Sequence, residues 1–215
     1  MIRLVLALCL ALAGCAAPQR GAPTMLAVGD SVLSWSRLSG GDIPRVAAAA
    51  TGRAVDNRSV IGARFLTGIP GQYRDGPWDW VIVNGGANDL RGTCGCDGCD
   101  DTLDALVAPD GRTGAMADFA RSLVAKGHGV VLLGYYDTSV AGGPFAACAD
   151  ELAELSRRLN LVADTDPAIL FVDAGDAIDP ANLDHYARDL AHPSFAGSAL
   201  IGQLIARAIG PAPLR

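Results

Sequence analysis

The chain has 215 residues, half of them apolar, with 23 acidic against 17 basic side chains and a formal charge of −6. That length suits one domain with a sizeable core, and the acidic balance argues against nucleic acid or anionic lipid headgroups as partners. Past the first residues, every apolar stretch is interrupted by Gly, Pro or charge before it reaches membrane-spanning length.

In chain order, Met1-Ile2-Arg3 is a short positive start, and Leu4 to Ala13 is an apolar run too short to span a bilayer. Leu12-Ala13-Gly14-Cys15 then has the pattern of a bacterial lipobox, with Cys15 acylated. The alternative is an ordinary secretory leader cut near Ala16-Ala17, with Cys15 lost. Residues 1–14 are thus read as a signal peptide, 15–24 as a lipidated tether and 25–215 as the folded domain. This places the protein in a bacterial envelope, facing the periplasm and held at a membrane, expected to be the outer one. Lipid is its only expected membrane contact, and a monomer is the expected state.

The domain alternates short apolar runs with helix-like segments. Met25–Val28, Ala54–Asn57, Trp80–Asn84, Val130–Leu133 and Ile169–Val172 read as strands. Helices are predicted within Val32–Thr51, interrupted near Ser39-Gly40-Gly41, and at Gly114–Lys126, Ala147–Leu161 and Ser194–Ile209. Strands apolar on both faces and alternating with helices imply an α/β fold, a parallel sheet between helical layers. Ligands in such sheets bind beyond the carboxyl ends of the strands. Ser31, Asn88 and Tyr135-Tyr136-Asp137 each follow a predicted strand, so topology gathers them at one edge.

Ser31, in Gly29-Asp30-Ser31, stands where the first strand turns into a helix, with backbone N–H groups able to face an oxyanion. The same residues serve equally as a helix N-cap. Asp189 and His192, in Asp189-Leu190-Ala191-His192, have the spacing at which a carboxylate orients an imidazole and leaves its other nitrogen free for a serine proton. Pro193 fits the first turn of the last helix. His128, in a Lys-Gly-His-Gly turn, reads as solvated, and His185 has only the adjacent Asp184. Asn88, in Gly-Gly-Ala-Asn-Asp, is an amide donor or a turn residue. Gly62 matters only as backbone, after Asn57-Arg58-Ser59-Val60-Ile61.

These four patches, in this order, resemble the SGNH (GDSL-type) hydrolase family across residues 25 to about 209. Val32 stands where Leu is commonest, a mild exchange. The resemblance implies a flavodoxin-like three-layer α/β/α sandwich with a five-stranded parallel sheet and a metal-free, cofactor-free mechanism on small-molecule, carbohydrate or lipid esters. It assigns Ser31 as nucleophile, His192 as general base and then acid, and Asp189 as its orienting partner. Ser31 N–H, Gly62 N–H and the Asn88 amide form the oxyanion hole, and Asp30 supports the turn. An esterase or acylhydrolase is the leading reading. The alternatives are an acyltransferase or deacetylase acting on envelope carbohydrate, or an idle envelope-binding lipoprotein. Trp35 and Tyr135 or Tyr136 are candidates for the acyl pocket or for the core.

Setting aside Cys9 and Cys15, four cysteines remain: Cys94, Cys96, Cys99 and Cys148. Their crowding resembles a zinc knot, but an exported chain favours two disulfides. Joining Cys94 to Cys96 would close a cramped ring, which leaves Cys148 to bond Cys94 or Cys96. Such bridges would pin the long loop after Asn88 to the loop after the fourth strand.

Overall fold

A computed structural model of the chain describes residues 22–212. The leader, Cys9 and the lipidation candidate Cys15 lie outside the described residues. Five strands, β1 (Met25–Val28), β2 (Val55–Asn57), β3 (Trp80–Val83), β4 (Gly129–Leu133) and β5 (Ile169–Val172), form one parallel sheet in the order β2-β1-β3-β4-β5. The chain runs from β1 outward to β2 and returns to β3 on the other side of β1. The crevice of an open sheet therefore falls beyond the ends of β1 and β3.

Period-two alternation splits the strands between two cores. Leu26, Val28, Val81, Val83, Val130 and Leu132 point to one face, into a core with Phe65, Leu106, Leu123 and Leu159. Met25, Ala27, Ile82, Val131 and Leu133 point to the other, into a core with Ile43, Ala47, Ile201 and Ile205. All eleven of these strand side chains are fully buried, which accounts for their unbroken apolar runs.

Helix α1 (Ser31–Ser34) is a single turn, and α2 (Ile43–Ala50) follows a 3-10 turn at Arg37–Ser39, where the break was predicted. Two helices stand where the sequence reading left one long loop: α3 (Ala87–Thr93) and α4 (Asp100–Leu106). Asn, Gly and Thr give α3 poor intrinsic propensity, and it forms because Leu90 is buried and the Gly85-Gly86 turn feeds it. Both glycines have positive φ, 155° and 114°, a region that a side chain would strain. The remaining helices are α5 (Ala115–Ala125), α6 (Ala149–Ala163) and α7 (Phe195–Ile209). The N-cap of α7 is Ser194, whose Oγ accepts from Gly197 N at 3.1 Å. Pro193 thus precedes the helix instead of occupying its first turn. Gly202 lets α7 approach α2, since a Cβ there would stand 2.6 Å from Val46. Among the described residues no helix is long and apolar enough to cross a membrane.

The cysteines form two disulfides, Cys94–Cys99 and Cys96–Cys148. Both thiol pairs are consumed, so the zinc alternative has no thiolates to use. The second bridge ties the segment between α3 and α4 to the start of α6, across 52 residues of sequence. A double Cys96→Ala/Cys148→Ala variant should lose up to about 4 kcal/mol of unfolding free energy, the chain-entropy value for a loop of that length. Guanidinium titration of wild type and variant measures it. An unchanged midpoint would mean that the bridge contributes nothing.

Candidate active site

Ser31 opens α1 directly after β1. Its neighbour Asp30 is the N-cap: Oδ1 accepts Val32 N at 2.9 Å while Oδ2 accepts the Tyr135 hydroxyl at 2.6 Å. Tyr135, just past β4, in turn accepts Ala87 N at 3.1 Å. One buried carboxylate thus ties the turn after β1 to the ends of β3 and β4. Burial pushes the Asp30 carboxyl above its ordinary range, against the pull of Tyr135 and Val32. Burial, with the charge of Asp30 adding, pushes the Tyr135 phenol far up, so it remains a donor.

Asn88 lies in the first turn of α3. Its Nδ2 donates to Ala63 O at 3.1 Å, which leaves the second N–H of the amide unspent. Adjacent Asp89 is buried and accepts Phe65 N at 2.7 Å and Leu66 N at 3.0 Å. The segment 63–66 is thereby bound to α3 through both Asn88 and Asp89. Gly62, at φ 75°, is exposed at the start of that segment. Among the described residues the backbone N–H groups of Ser31 and Gly62 donate to nothing.

His192 arrives on the loop between β5 and α7. Its Nδ1 is 2.6 Å from Asp189 Oδ2, and Asp189 Oδ1 accepts the N–H groups of Ala191 and His192, both at 3.1 Å. Burial raises Asp189, but these bonds outweigh it and hold the carboxyl below its ordinary range. One face of the imidazole is occupied: Trp35 stacks on it with ring centroids 3.8 Å apart and planes 4° from parallel. Trp35 is therefore a support for the histidine and does not join the pocket wall. Tyr136 donates its hydroxyl to Ala191 O at 2.7 Å, a contact that sequence reasoning did not anticipate.

Ser31, Asn88 and His192 line one cavity of about 30 Å³, together with Tyr135, Tyr136 and Phe145. No hydrogen bond joins Ser31 Oγ to His192 among the described residues; such contacts in ligand-free sites often close only around substrate. Gly62 is not in the wall, and Asp189 stands behind His192. The remaining histidines lie elsewhere. His128 is buried, not solvated, because its two nitrogens meet Trp78 O and the Tyr73 hydroxyl, both at 2.9 Å. His185 bonds Asp179 N and Asn182 in its own loop.

Tyr135→Phe tests the Asp30 tie. Losing a hydrogen bond to a buried charge should cost about 1.5–3 kcal/mol. The bond from Tyr135 lowers the raised Asp30 pKa. Without it the folded value rises further, and stability present below the unfolded value is lost as pH climbs. Denaturation of wild type and variant should therefore diverge more at pH 7 than at pH 4, and a pH-independent difference would contradict the tie.

Comparison with known proteins agrees with this fold. The sequence profile described as the GDSL-like Lipase/Acylhydrolase family matches residues 27–200. No curated protein matches the chain. Among solved structures, one from Streptococcus pneumonia, provisionally assigned as a platelet activating factor, superposes with a TM-score of 0.65 at 16% identity, covering 89% of this chain and 86% of that one. A carbohydrate acetylesterase from Sinorhizobium meliloti gives a TM-score of 0.63 at 15% identity, covering 87% and 98%. An SGNH hydrolase, also provisionally assigned, from Slackia heliotrinireducens gives 0.61 at 19%, covering 88% and 100%. At these identities the likeness concerns the fold, and the profile match carries the relationship: the chain belongs to the GDSL-like lipase/acylhydrolase family of ester-hydrolysing enzymes.

Proposed function

We propose that the protein is a serine esterase acting on short-chain esters through Ser31, His192 and Asp189. The observation that carries the reading is the imidazole clamped between Asp189 and Trp35 on the wall of the cavity that Ser31 also lines. With Nδ1 committed to the carboxylate, Nε2 is the nitrogen left to take the Ser31 proton. Ser31 Oγ attacks the ester carbonyl as its proton passes to His192. The tetrahedral oxyanion is held by the free N–H of Ser31 and by the unspent amide N–H of Asn88, both of which belong to residues in the cavity wall. Collapse expels the alcohol, which takes the proton from His192. Water then gives its proton to His192 and attacks the acyl-enzyme, and the carboxylic acid leaves as Ser31 recovers its hydrogen.

Acyl length follows from size. About 30 Å³ of space beside Ser31, open at its mouth, is room for roughly two waters. That suits an acetyl or similarly small group at the carbonyl. Export, with a lipid on Cys15, belongs to the same proposal. The leader pattern supports it, as do two disulfides that need an oxidising compartment.

Ser31→Ala should abolish p-nitrophenyl acetate hydrolysis and labelling by a fluorophosphonate, with an unchanged circular dichroism spectrum. Full activity in that variant, or no labelling of wild type, would refute the assignment. Wild type should prefer the acetate to the decanoate ester in kcat/KM, and the reverse order would refute the short-chain reading. Asn88→Ala should reduce kcat by about 10²–10³.

A further inference from the structure

A second cavity, of about 550 Å³, adjoins the Ser31 cavity and shares with it the segment 135–138 and Leu152. Its other walls are one face of α6, with Ser156, Arg157 and Asn160, and the chain around the end of β5, with Phe171, Asp173 and Asp176. It lies along the same edge of the sheet as Ser31, beyond the ends of β4 and β5. A substrate bound by its ester at Ser31 would reach it past this shared segment.

The charge in this cavity is one-sided. Asp137, Asp173 and Asp176 line it, and none of them is in an ion pair among the described residues. Arg157 is the single cation in the wall, and both oxygens of Glu154 hold its guanidinium, at 2.7 and 2.8 Å. Burial pushes the Asp173 carboxyl above its ordinary range, with Asp176 and Asp137 adding to the rise against the bond from Gly175 N. An independent observation comes from α6. Ser156 is only 8% exposed, lines the cavity, and among the described residues its hydroxyl bonds to no other group. Its oxygen opens onto the cavity, so whatever occupies that space, water or ligand, supplies its hydrogen-bond partner. Phe171, Tyr135 and Tyr136 add aromatic surface.

Three classes of occupant can be compared on these groups. An anion meets three carboxylates. An alkyl group strips their water and leaves Ser156 unbonded. A protonated amine gives Ser156 an N–H to accept, neutralises the crowded carboxylates and rests its carbon substituents on the aromatic rings. We propose that this cavity is a subsite for an ammonium group carried by the ester substrate. The proposal rests on the esterase reading of Ser31 and names the substrate class that the site selects.

The test is a pair of acetate-ester and acyl-side series in which a dimethylammonio terminus is compared with its neutral isopropyl isostere, over spacers of increasing length, with p-nitrophenyl acetate as reference. At the best spacer the ammonium ester should exceed its isostere in kcat/KM by about tenfold, and added salt should erode the ratio. Asp173→Asn and, separately, the more exposed Asp176→Asn should each bring the ratio towards one. Because burial opposes its charge, Asp173→Asn should melt no lower than wild type, whereas a merely structural Asp173 would melt lower and keep the ratio. Ratios near one in wild type at every spacer in both series, with p-nitrophenyl acetate still cleaved, would overturn the subsite and leave the esterase reading intact. No cleavage of p-nitrophenyl acetate at all would overturn the esterase reading itself.

Discussion

The arrangement of this molecule depends on one buried carboxylate. Asp30 caps the turn that presents Ser31 and, through the Tyr135 hydroxyl, reaches both the loop leaving β4 and the backbone entering α3. A parallel sheet brings strand ends to a common edge but leaves the loops beyond them free to vary. The Asp30–Tyr135–Ala87 chain removes that freedom at three of the five strands. Holding a carboxylate in such a place is unfavourable, as its raised pKa records. The fold accepts that because each oxygen has a hydrogen-bond donor.

The imidazole is fixed by a different device, local in sequence. Asp189 divides its oxygens, one to the backbone N–H groups of Ala191 and His192 and the other to the ring. The Asp-x-x-His spacing therefore builds its own turn. That turn forces Leu190 to φ 56°, a left-handed conformation unfavourable for a side chain. Tyr136 holds the turn from the β4 side, and Trp35 closes one face of the ring. An imidazole held on edge and face has little rotamer freedom left.

The two cavities differ in character because different layers make them. The small one sits at the β1/β3 switch point, walled mainly by the tied loops, and admits little. The large one is bounded by α6, whose register is fixed at its start by the Cys96–Cys148 bridge and farther along by Arg158 bonded to Val107 O and Asp104. Anchors on its far face leave the helix side that carries Ser156 and Asn160 with open space in front of it.

Much of this was legible before any coordinates. The strand runs are apolar because both faces of the sheet are covered, and each strand forms within a residue of where its pattern places it. Ser31 and Asn88 were singled out by short motifs just after strands, and Asp189 and His192 by their spacing before the last helix. Helices α3 and α4 were missed because their stability comes from burial of Leu90, Leu103 and Leu106 and from the bridged cysteines, not from propensity. His128 misled for the same reason: a polar residue in a turn reads as solvated unless its partners, Tyr73 and Trp78, are known to be near. Local patterning determined the strands, the longer helices and their order, and singled out the candidate site residues, since periodicity and spacing are properties of the chain itself. Only the tertiary structure decided which aromatic ring would brace the histidine, which carboxylate would bind three strand ends together, and where open space would remain beside Ser31. Those depend on contacts between residues far apart in sequence, which no local pattern encodes.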